Sequence, residues 1–299
     1  MSAYTQGIII LVCINVIAVL GMSVLTGFTR LFSFGNAGFM AIGAYAAALM
    51  TVRLHVPFII AVIISAALAG LVAFLLGSLT IKLKGDYFLI TCLGFGECVR
   101  VLLNNMREIT GGSGGFSNIP AYTTLPVAVV CVVLAFYIAW RFIHSKFGRN
   151  LTSIRENEVA AEAVGVDTFR WKRTSFVFSA VYAGWAGALY AHYMMFIVPS
   201  VFNLGKSCEL ITTTVLGGLG SLTGSVLGAV IVTLMPEVFR SLAEYRMLVY
   251  GLAVVLIIMF KPAGLYGYKE FSLKRIINWF KKLFTKKGGS DKAEGGLAQ

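Results

Sequence analysis

The residues of this sequence that could do chemistry are a few ionisable side chains inside long apolar runs. Glu97 and Arg100 lie three positions apart in one run, and Glu209 lies near the start of another. Residues at i and i+3 share a helix face, and charges inside an apolar segment normally face a partner, a protein interior or a cavity. These residues are therefore candidates for a polar pathway. The alternatives are a local ion pair, snorkelling of Arg100 toward a membrane surface, and a helix cap formed by Glu209.

The sequence contains no comparable set of residues that could form an enzyme active site. The histidines His55, His144 and His192 are scattered, and no cluster of His, Cys or carboxylates has metal-site or triad spacing. The stretch "GKS" at 205–207 lacks the glycine that a phosphate-binding loop needs five residues earlier, where Ser200 stands. We therefore predict no catalytic residue, no metal site and no nucleotide site in this chain.

The composition is typical of a membrane protein. Of 299 residues, 58% are hydrophobic and 13% are charged, and the mean hydropathy is +0.83. A helix needs about 20 apolar residues to cross a bilayer, and such runs recur along the chain. We predict an all-α, polytopic integral membrane protein. Its clearest spans cover residues 7–27, 57–80, 87–107, 122–140, 174–197 and 245–261.

Two further apolar segments, 31–50 and 208–234, are interrupted by glycines and predict broken helices. Both contain small polar side chains, namely Ser33 and Asn36 in the first and Thr213 in the second. These residues extend the set of pathway candidates. The alternative is that they connect packed membrane helices, as small polar residues commonly do.

The basic residues indicate the orientation of the chain in the membrane. The formal net charge is +12, and Lys and Arg gather in the 141–173 connection and after residue 262. Because cytoplasmic loops are rich in Lys and Arg, both regions are expected in the cytoplasm, with anionic lipids rather than nucleic acid as partners. An even number of crossings must join them, so the 208–234 segment is expected to enter and leave on the outer side. It would be a re-entrant hairpin that turns at Gly217, Gly218 and Gly220, and the alternative is one tilted helix.

The connection contains "RENEVAAEAVGVD" at 155–167, which predicts a short amphipathic helix. Glu158 and Glu162 share one face, and Gly165 follows at the C-cap position. A small helix at the end of a membrane span could dock into a groove of a soluble partner, whereas a solvated linker is the alternative. The residues expected to matter for docking are Arg155, Glu156, Glu158, Ala161, Glu162 and Gly165.

Several stretches, in order along most of the chain, resemble one family. They are 27–49, 85–105, "ITGGSGG" (109–115), "EVAAEAVGVD" with 172–191, "VLGGLGSLTGSVLGA" (215–229) and "FKPAGLYG" (260–267). Together they resemble bacterial ABC importer permeases, specifically branched-chain amino-acid permeases of the LivM type. Where the family has "SLGHAAF", this chain has "SFGNAGF", with Asn36 and Gly38 replacing His and Ala. That difference leaves the solute open among branched-chain amino acids, other amino acids, urea and short amides.

The resemblance implies a type II-like ABC importer permease with broken or re-entrant helices, in the bacterial inner membrane, with a cytoplasmic C-terminus. It implies a second permease chain, expected to form a heterodimer, and two cytoplasmic ATPases that bind ATP and Mg. An extracytoplasmic binding protein would deliver the solute, with branched-chain or related amino acids expected. The 155–167 helix would then lie in a groove of the ATPase and transmit its closure.

The domain organisation follows from these patterns. We predict a transmembrane permease domain over 1–262, which includes the cytoplasmic coupling loop 141–173. A basic amphipathic interfacial helix is expected over 263–287, because apolar residues recur on one stripe and basic residues lie elsewhere. Residues 288–299 have the Gly-rich polar composition of a disordered tail. The lipid-surface candidates are Lys274, Arg275, Lys281 and Lys282.

Two other transport functions remain open from the residues alone. A channel would explain re-entrant segments, but it gives no role to an ordered cytoplasmic helix. A proton-coupled secondary transporter needs buried carboxylates for a relay, and only Glu97 and Glu209 qualify. Both are alternatives to the ABC permease.

Overall fold

The computed structural model describes residues 3–83 and 85–238, together with 251, 255 and 259. Within those ranges the chain forms helices and no strand, and one isolated bridge joins Phe116 and Ile197. This confirms the all-α prediction for that part of the chain. Most of the predicted 245–261 span lies outside the described residues. So do the 263–287 helix, the 288–299 tail and the candidates Lys274, Arg275, Lys281 and Lys282.

Eleven α-helices are described in these ranges. They are α1 Ala3–Thr29, α2 Asn36–Val52, α3 Phe58–Thr80, α4 Asp86–Asn105, α5 Arg107–Thr110, α6 Leu125–Ile143, α7 Lys146–Glu156, α8 Glu158–Ala163, α9 Thr168–Met194, α10 Leu204–Gly217 and α11 Leu222–Val238. Three of them, α1, α3 and α6, are long and apolar enough to cross a membrane. The helices α4 and α9 cover most of the predicted spans 87–107 and 174–197, and they end two and three residues before those spans do. Helix α9 begins six residues earlier than that span because Asp167 caps it, accepting a hydrogen bond from the Arg170 amide.

Helix α9 is the centre of the bundle, and α1, α2 and α3 pack directly against it. Small buried side chains line these contacts, including Ala44 on α2, Ala69 on α3 and Ala183 on α9. Lipid tails are as apolar as the helix surfaces, so the hydrophobic effect does not drive membrane helices together. Small residues let the helix backbones approach closely, and the resulting van der Waals contacts stabilise the bundle. The large apolar side chains of α3 and α6 are instead exposed on the outside of the bundle.

The bundle has two distinct ends. At one end, called here the coupling end, α7 lies beside the last turn of α1, where Arg155 donates to the Gly27 carbonyl at 3.3 Å, and α8 packs against α7 and α9. At the other end, called the far end, the Phe116–Ile197 bridge joins the connections 106–124 and 195–203. Helix α9 runs from the coupling end to the far end, and α1 runs in the opposite direction.

The 31–50 segment is broken at its start and not within it. Helix α1 ends at Thr29, and α2 then runs without interruption from Asn36 to Val52. The Asn36 side-chain amide lies 2.7 Å from Met22 Sδ and donates to Ser179 Oγ at 3.1 Å. Since Met22 is two turns above the end of α1, the connection 30–35 folds back and α2 begins inside the bundle. The expectation of a broken helix over 31–50 is corrected accordingly.

The 208–234 segment forms a helical hairpin instead of one tilted helix. Helix α10 begins at Leu204, earlier than predicted, because Asn203 caps it by accepting from the Lys206 amide at 3.1 Å. The two helices are antiparallel and close, since a Cβ on Gly228 would lie 2.6 Å from the Thr213 carbonyl oxygen. The turn at 218–221 contains Gly218 and Gly220 with φ of 120° and 92°, a conformation open mainly to glycine.

The hairpin packs along α1 with its turn at the coupling end. Ser225 Oγ donates to Ser23 Oγ at 2.8 Å, and Asn15 Nδ2 donates to Thr233 Oγ1 at 3.1 Å. These two contacts show that α11 is antiparallel to α1. Helix α10 therefore starts at the middle of the bundle, and the hairpin turn lies beside the end of α1.

Candidate pathway and coupling sites

The ionisable residues of α4 form a local ion pair. The Arg100 Nε donates to Glu97 Oε2 at 2.8 Å, and Arg100 Nη2 lies 2.6 Å from the same oxygen. Both side chains are about one third exposed, at 35% and 34%. The ion-pair alternative therefore applies to the isolated chain, and the pair lies on a face that another chain could cover.

Glu97 also lines a small pocket between α2, α4 and the start of α10. Ala37, Phe202 and Ser207 share this pocket, and the Ala37 amide donates to Ser207 Oγ at 3.0 Å. The space is about 10 Å³, which holds little more than a water molecule. In this conformation the pocket is closed to an amino acid.

A larger cleft lies on the other side of Phe202, between α2, α9 and the first turns of α10. Its volume is about 370 Å³. We call it the α10 cleft. It is lined by residues that include Met40, Tyr190, Val201, Phe202, Lys206 and Glu209. Glu97 and Glu209, the two carboxylates that the sequence analysis proposed for a pathway, thus lie on either side of the connection 195–203.

Lys206 was missed as a pathway residue. Its ammonium lies 3.1 Å from both Glu209 carboxylate oxygens and also donates to Asn15 Oδ1 at 3.1 Å. It is three residues from Glu209, the same spacing that singled out Glu97 and Arg100. That spacing could have found the pair. Glu209 does not cap α10, because Asn203 has that role.

The small polar candidates Ser33, Asn36 and Thr213 are buried between helices and do not line either opening. Ser33 Oγ accepts from the Gly35 amide at 3.3 Å, and Thr213 Oγ1 donates to the Glu209 carbonyl at 2.6 Å. Asn36 makes its contacts with α1 and α9 as described above. Of these three side chains, Asn36 bonds to other helices, whereas Ser33 and Thr213 bond to backbone groups nearby in the sequence. Their role in a pathway stays a prediction.

The 155–167 stretch contains a break that the sequence analysis did not predict. Arg155 and Glu156 end α7, and Asn157 is extended, with φ of −156° and ψ of 110°. The Asn157 side chain then accepts from the Ala160 amide at 3.0 Å and caps α8. The single helix expected over this stretch is therefore corrected to the end of α7 followed by the six-residue α8.

The two carboxylates of α8 contact side chains of the same chain. Glu158 forms an ion pair with Lys172, and Glu162 accepts from Thr168 Oγ1 at 2.6 Å. Lys172 and Thr168 both lie in the first turns of α9. Ala161, on the inner side of α8, is buried at 3% exposure. The expected shared face of Glu158 and Glu162 is present, but it is the face that attaches α8 to α9.

Two large apolar side chains are exposed on α8 and at its C-cap. Val159 and Val164 are 77% and 78% exposed. Gly165 ends the helix with φ of 84°, where its amide donates to the Glu162 carbonyl at 2.9 Å and the Val166 amide to the Ala161 carbonyl at 3.0 Å. These two bonds are the Schellman pattern. They end α8 with both valines on its exposed side.

Arg155 attaches α7 to the membrane helices. Its Nη1 donates to the Gly27 carbonyl at 3.3 Å, its Nη2 to Glu156 Oε1 at 2.7 Å, and its guanidinium lies 5.9 Å from the Phe28 ring centroid. A Cβ on Gly220 would overlap this guanidinium, so the hairpin turn touches the same side chain. One arginine thus joins α7, α1 and the α10–α11 turn.

Comparisons with known proteins give one consistent family. The family described as "Branched-chain amino acid transport system / permease component" matches residues 4–260. The chain is 34% identical over 307 aligned residues to the high-affinity branched-chain amino acid transport system permease protein LivM of Escherichia coli strain K12. That match covers 91% of this chain and 72% of that protein.

Two further relatives separate the permease types. The LivM protein of Salmonella typhimurium is 34% identical, with 87% of this chain and 69% of that protein covered. The LivH permease protein of the same organism is 30% identical, with 56% of this chain and 55% of that protein covered. The similarity is thus longer to LivM proteins than to LivH. No solved structure matches the chain.

Proposed function

Because this chain belongs to the family of branched-chain amino acid transport system permease components, we propose that it is one permease chain of an ATP-driven importer for branched-chain amino acids. It is a multi-pass membrane protein and a transport subunit. The observation that carries the proposal is the similarity to LivM permease proteins along nearly the whole chain.

A second permease chain completes the pathway, and we propose a heterodimer with a LivH-like partner. The relatives of this chain in Escherichia coli include both a LivM and a LivH permease protein, which supports a pair of unlike chains. The Glu97–Arg100 pair of α4, about one third exposed, supports a partner on that face, since charges in a membrane segment are costly unless protein or water covers them.

Two cytoplasmic ATPases drive the importer in this proposal, and ATP and Mg bind to them. Helix α8 is the element that docks, with Val159 and Val164 in an apolar groove of the ATPase. The basic residues of the 141–173 connection support a cytoplasmic coupling end, with the chain in the bacterial inner membrane and its C-terminus in the cytoplasm. An extracytoplasmic binding protein then delivers the amino acid at the far end.

The test is leucine uptake by proteoliposomes that contain this chain, the LivH-like permease and the ATPases, with the binding protein added. We expect uptake that requires ATP. Val159→Asp with Val164→Asp should abolish uptake and ATPase retention on a column, because charge enters an apolar contact. Arg149→Gln, at an exposed position of α7, is the matched control. Leucine movement by this chain alone without ATP would instead support a channel, and movement driven only by a proton gradient would support a secondary transporter.

A further inference from the structure

We propose that the α10 cleft binds the zwitterion of the transported amino acid, with Lys206 holding its carboxylate and Glu209 its ammonium group. This inference rests on the proposed function, because it assigns a site to the solute of that importer. The cleft combines the two features that such a solute needs, a pair of opposite charges and an apolar wall.

The two charges are adjacent and accessible. Lys206 Nζ lies 3.1 Å from both carboxylate oxygens of Glu209, and the side chains are 18% and 36% exposed. An ion pair at this depth satisfies both charges when the cleft is empty. When a zwitterion binds, its carboxylate takes the place of Glu209 beside Lys206, and its ammonium takes the place of Lys206 beside Glu209. Each of the four charges then has a partner of opposite sign.

Asn15 holds the lysine in place during this exchange. Its Oδ1 accepts from Lys206 Nζ at 3.1 Å, and its Nδ2 donates to Thr233 Oγ1 on α11. The ammonium therefore keeps one partner from α1 when Glu209 turns to the ligand. This arrangement positions the cation at the base of the cleft and leaves the carboxylate as the more exposed group.

The start of α10 adds to the recognition of a carboxylate. The helix is 14 residues long and begins at Leu204 in the middle of the bundle, and Gly205 of its first turn lines the cleft. The N-terminus of a helix carries a partial positive charge. Helices that begin inside the membrane point this end at anionic groups of solutes in other transporters. Here it strengthens the side of the cleft that Lys206 occupies.

The remaining wall suits an aliphatic side chain. Met40, Tyr190, Val201 and Phe202 contribute it, and the cleft volume of about 370 Å³ is within the size of small-molecule sites, roughly 300–1,000 Å³. Methionine adapts its shape to different apolar groups. The cleft can therefore take leucine, isoleucine and valine. The pocket beside Glu97 is about 10 Å³ and cannot.

The experiment measures whether leucine protects the cleft from a thiol reagent in the assembled importer. The five native cysteines are replaced by serine or alanine, and Val201→Cys places one thiol on the rim, where the native side chain is 36% exposed. L-leucine should slow maleimide labelling. 4-Methylpentanoate, which lacks the ammonium, and isopentylamine, which lacks the carboxylate, should not. Leu54→Cys, 70% exposed away from the cleft, is the control and should label at one rate throughout.

Charge variants then test the assigned roles. Lys206→Met and Glu209→Gln should each raise the leucine concentration needed for half protection by about tenfold or more, as loss of a hydrogen bond to a charged group does. Tyr190→Cys, at another lining position of the cleft, is a second reporter in case the Val201 variant does not assemble. Equal protection in the charge variants would overturn the proposal.

The uptake assay separates this inference from the proposed function. If the wild-type importer takes up leucine with ATP but leucine protects neither reporter, the cleft is not the site and the proposed function stands. If the importer takes up no leucine, the proposed function fails and this site fails with it.

Discussion

Single residues decide how α8 is attached to the membrane domain. Glu158 pairs with Lys172, and Glu162 accepts from Thr168 Oγ1, so both carboxylates act within this chain. The sequence analysis identified them correctly as residues on one face. It assigned that face to a partner because spacing along a helix does not tell which side the rest of the chain covers.

We predict that Glu158→Lys loosens α8 by charge repulsion with Lys172. The pair is partly exposed, so its loss should reduce local stability by about 0.5–1 kcal/mol, with a further increment from the repulsion. Hydrogen exchange of residues 158–166 should become faster, and uptake should fall. The exchanged pair, Glu158→Lys with Lys172→Glu, should restore both. Failure of the exchange to restore slow hydrogen exchange would show that the ion pair does not hold α8.

The pathway candidates show how far residue types alone can go. The spacing of Glu97 and Arg100 left an ion pair open as the alternative to a pathway role, and the same rule applied to Lys206 would have found the second pair. The roles of Ser33 and Asn36 could not be predicted in this way. Both are small polar residues in a glycine-rich segment, and only the packing of α2 against α1 and α9 shows that they are enclosed.

At the scale of elements, the sequence analysis misplaced the starts of two helices. Asn157 and Asn203 each cap a helix that the sequence analysis began elsewhere, at α8 and α10. Asparagine ahead of an apolar helical pattern is a known start signal, so both caps were within reach of the sequence. The starting depths of α2 and α10 inside the bundle were not, because they depend on how the connections 30–35 and 195–203 fold back.

The α10–α11 hairpin depends on close contact between its helices. A Cβ on Gly217 would lie 2.6 Å from the Ser225 Cα and would overlap the Gly224 carbonyl oxygen, so we predict that Gly217→Ala separates the two helices. Overpacking of this kind costs about 1–3 kcal/mol, which should lower the thermal unfolding midpoint in detergent. Gly94→Ala, in α4 with open space around the added carbon, is the control and should leave the midpoint unchanged or slightly higher. Equal midpoints for the two variants would contradict the close contact.

Three elements meet at Arg155, which makes it a positioning residue for coupling. We predict that Arg155→Lys reduces leucine uptake about tenfold while ATP hydrolysis continues, because lysine cannot donate to Gly27 and Glu156 in the same planar geometry. The ratio of ATP hydrolysed to leucine transported should therefore rise. Arg149→Lys, exposed on the same helix, should leave that ratio unchanged. A parallel fall of both activities would indicate a loss of folding or docking instead.

For the whole molecule, the direction of each helix follows from its contacts with α9 and α1. The sequence analysis obtained most of the same order from apolar runs and basic connections, because the positive-inside rule and the length of a membrane span are strong constraints. The sequence analysis could not predict how far the α10–α11 hairpin extends through the bundle. Counting crossings predicts the side where a segment enters and leaves, but not how deep its turn lies. Contacts of the turn with Gly27 and Arg155 put it at the coupling end.

This arrangement predicts a labelling pattern in intact cells. With native cysteines removed, Ser113→Cys at the far end should react with an impermeant maleimide added outside, and Lys146→Cys at the coupling end should react only after the membrane is opened. Ser221→Cys should stay unlabelled from both sides in the resting chain, because Ser221 is fully buried beside the end of α1. The two exposed positions are the controls for side and reactivity. Reaction of Ser221→Cys from outside at the rate of Ser113→Cys would mean that the hairpin turn opens to the far side, and would contradict the described packing of α10 and α11 on α1.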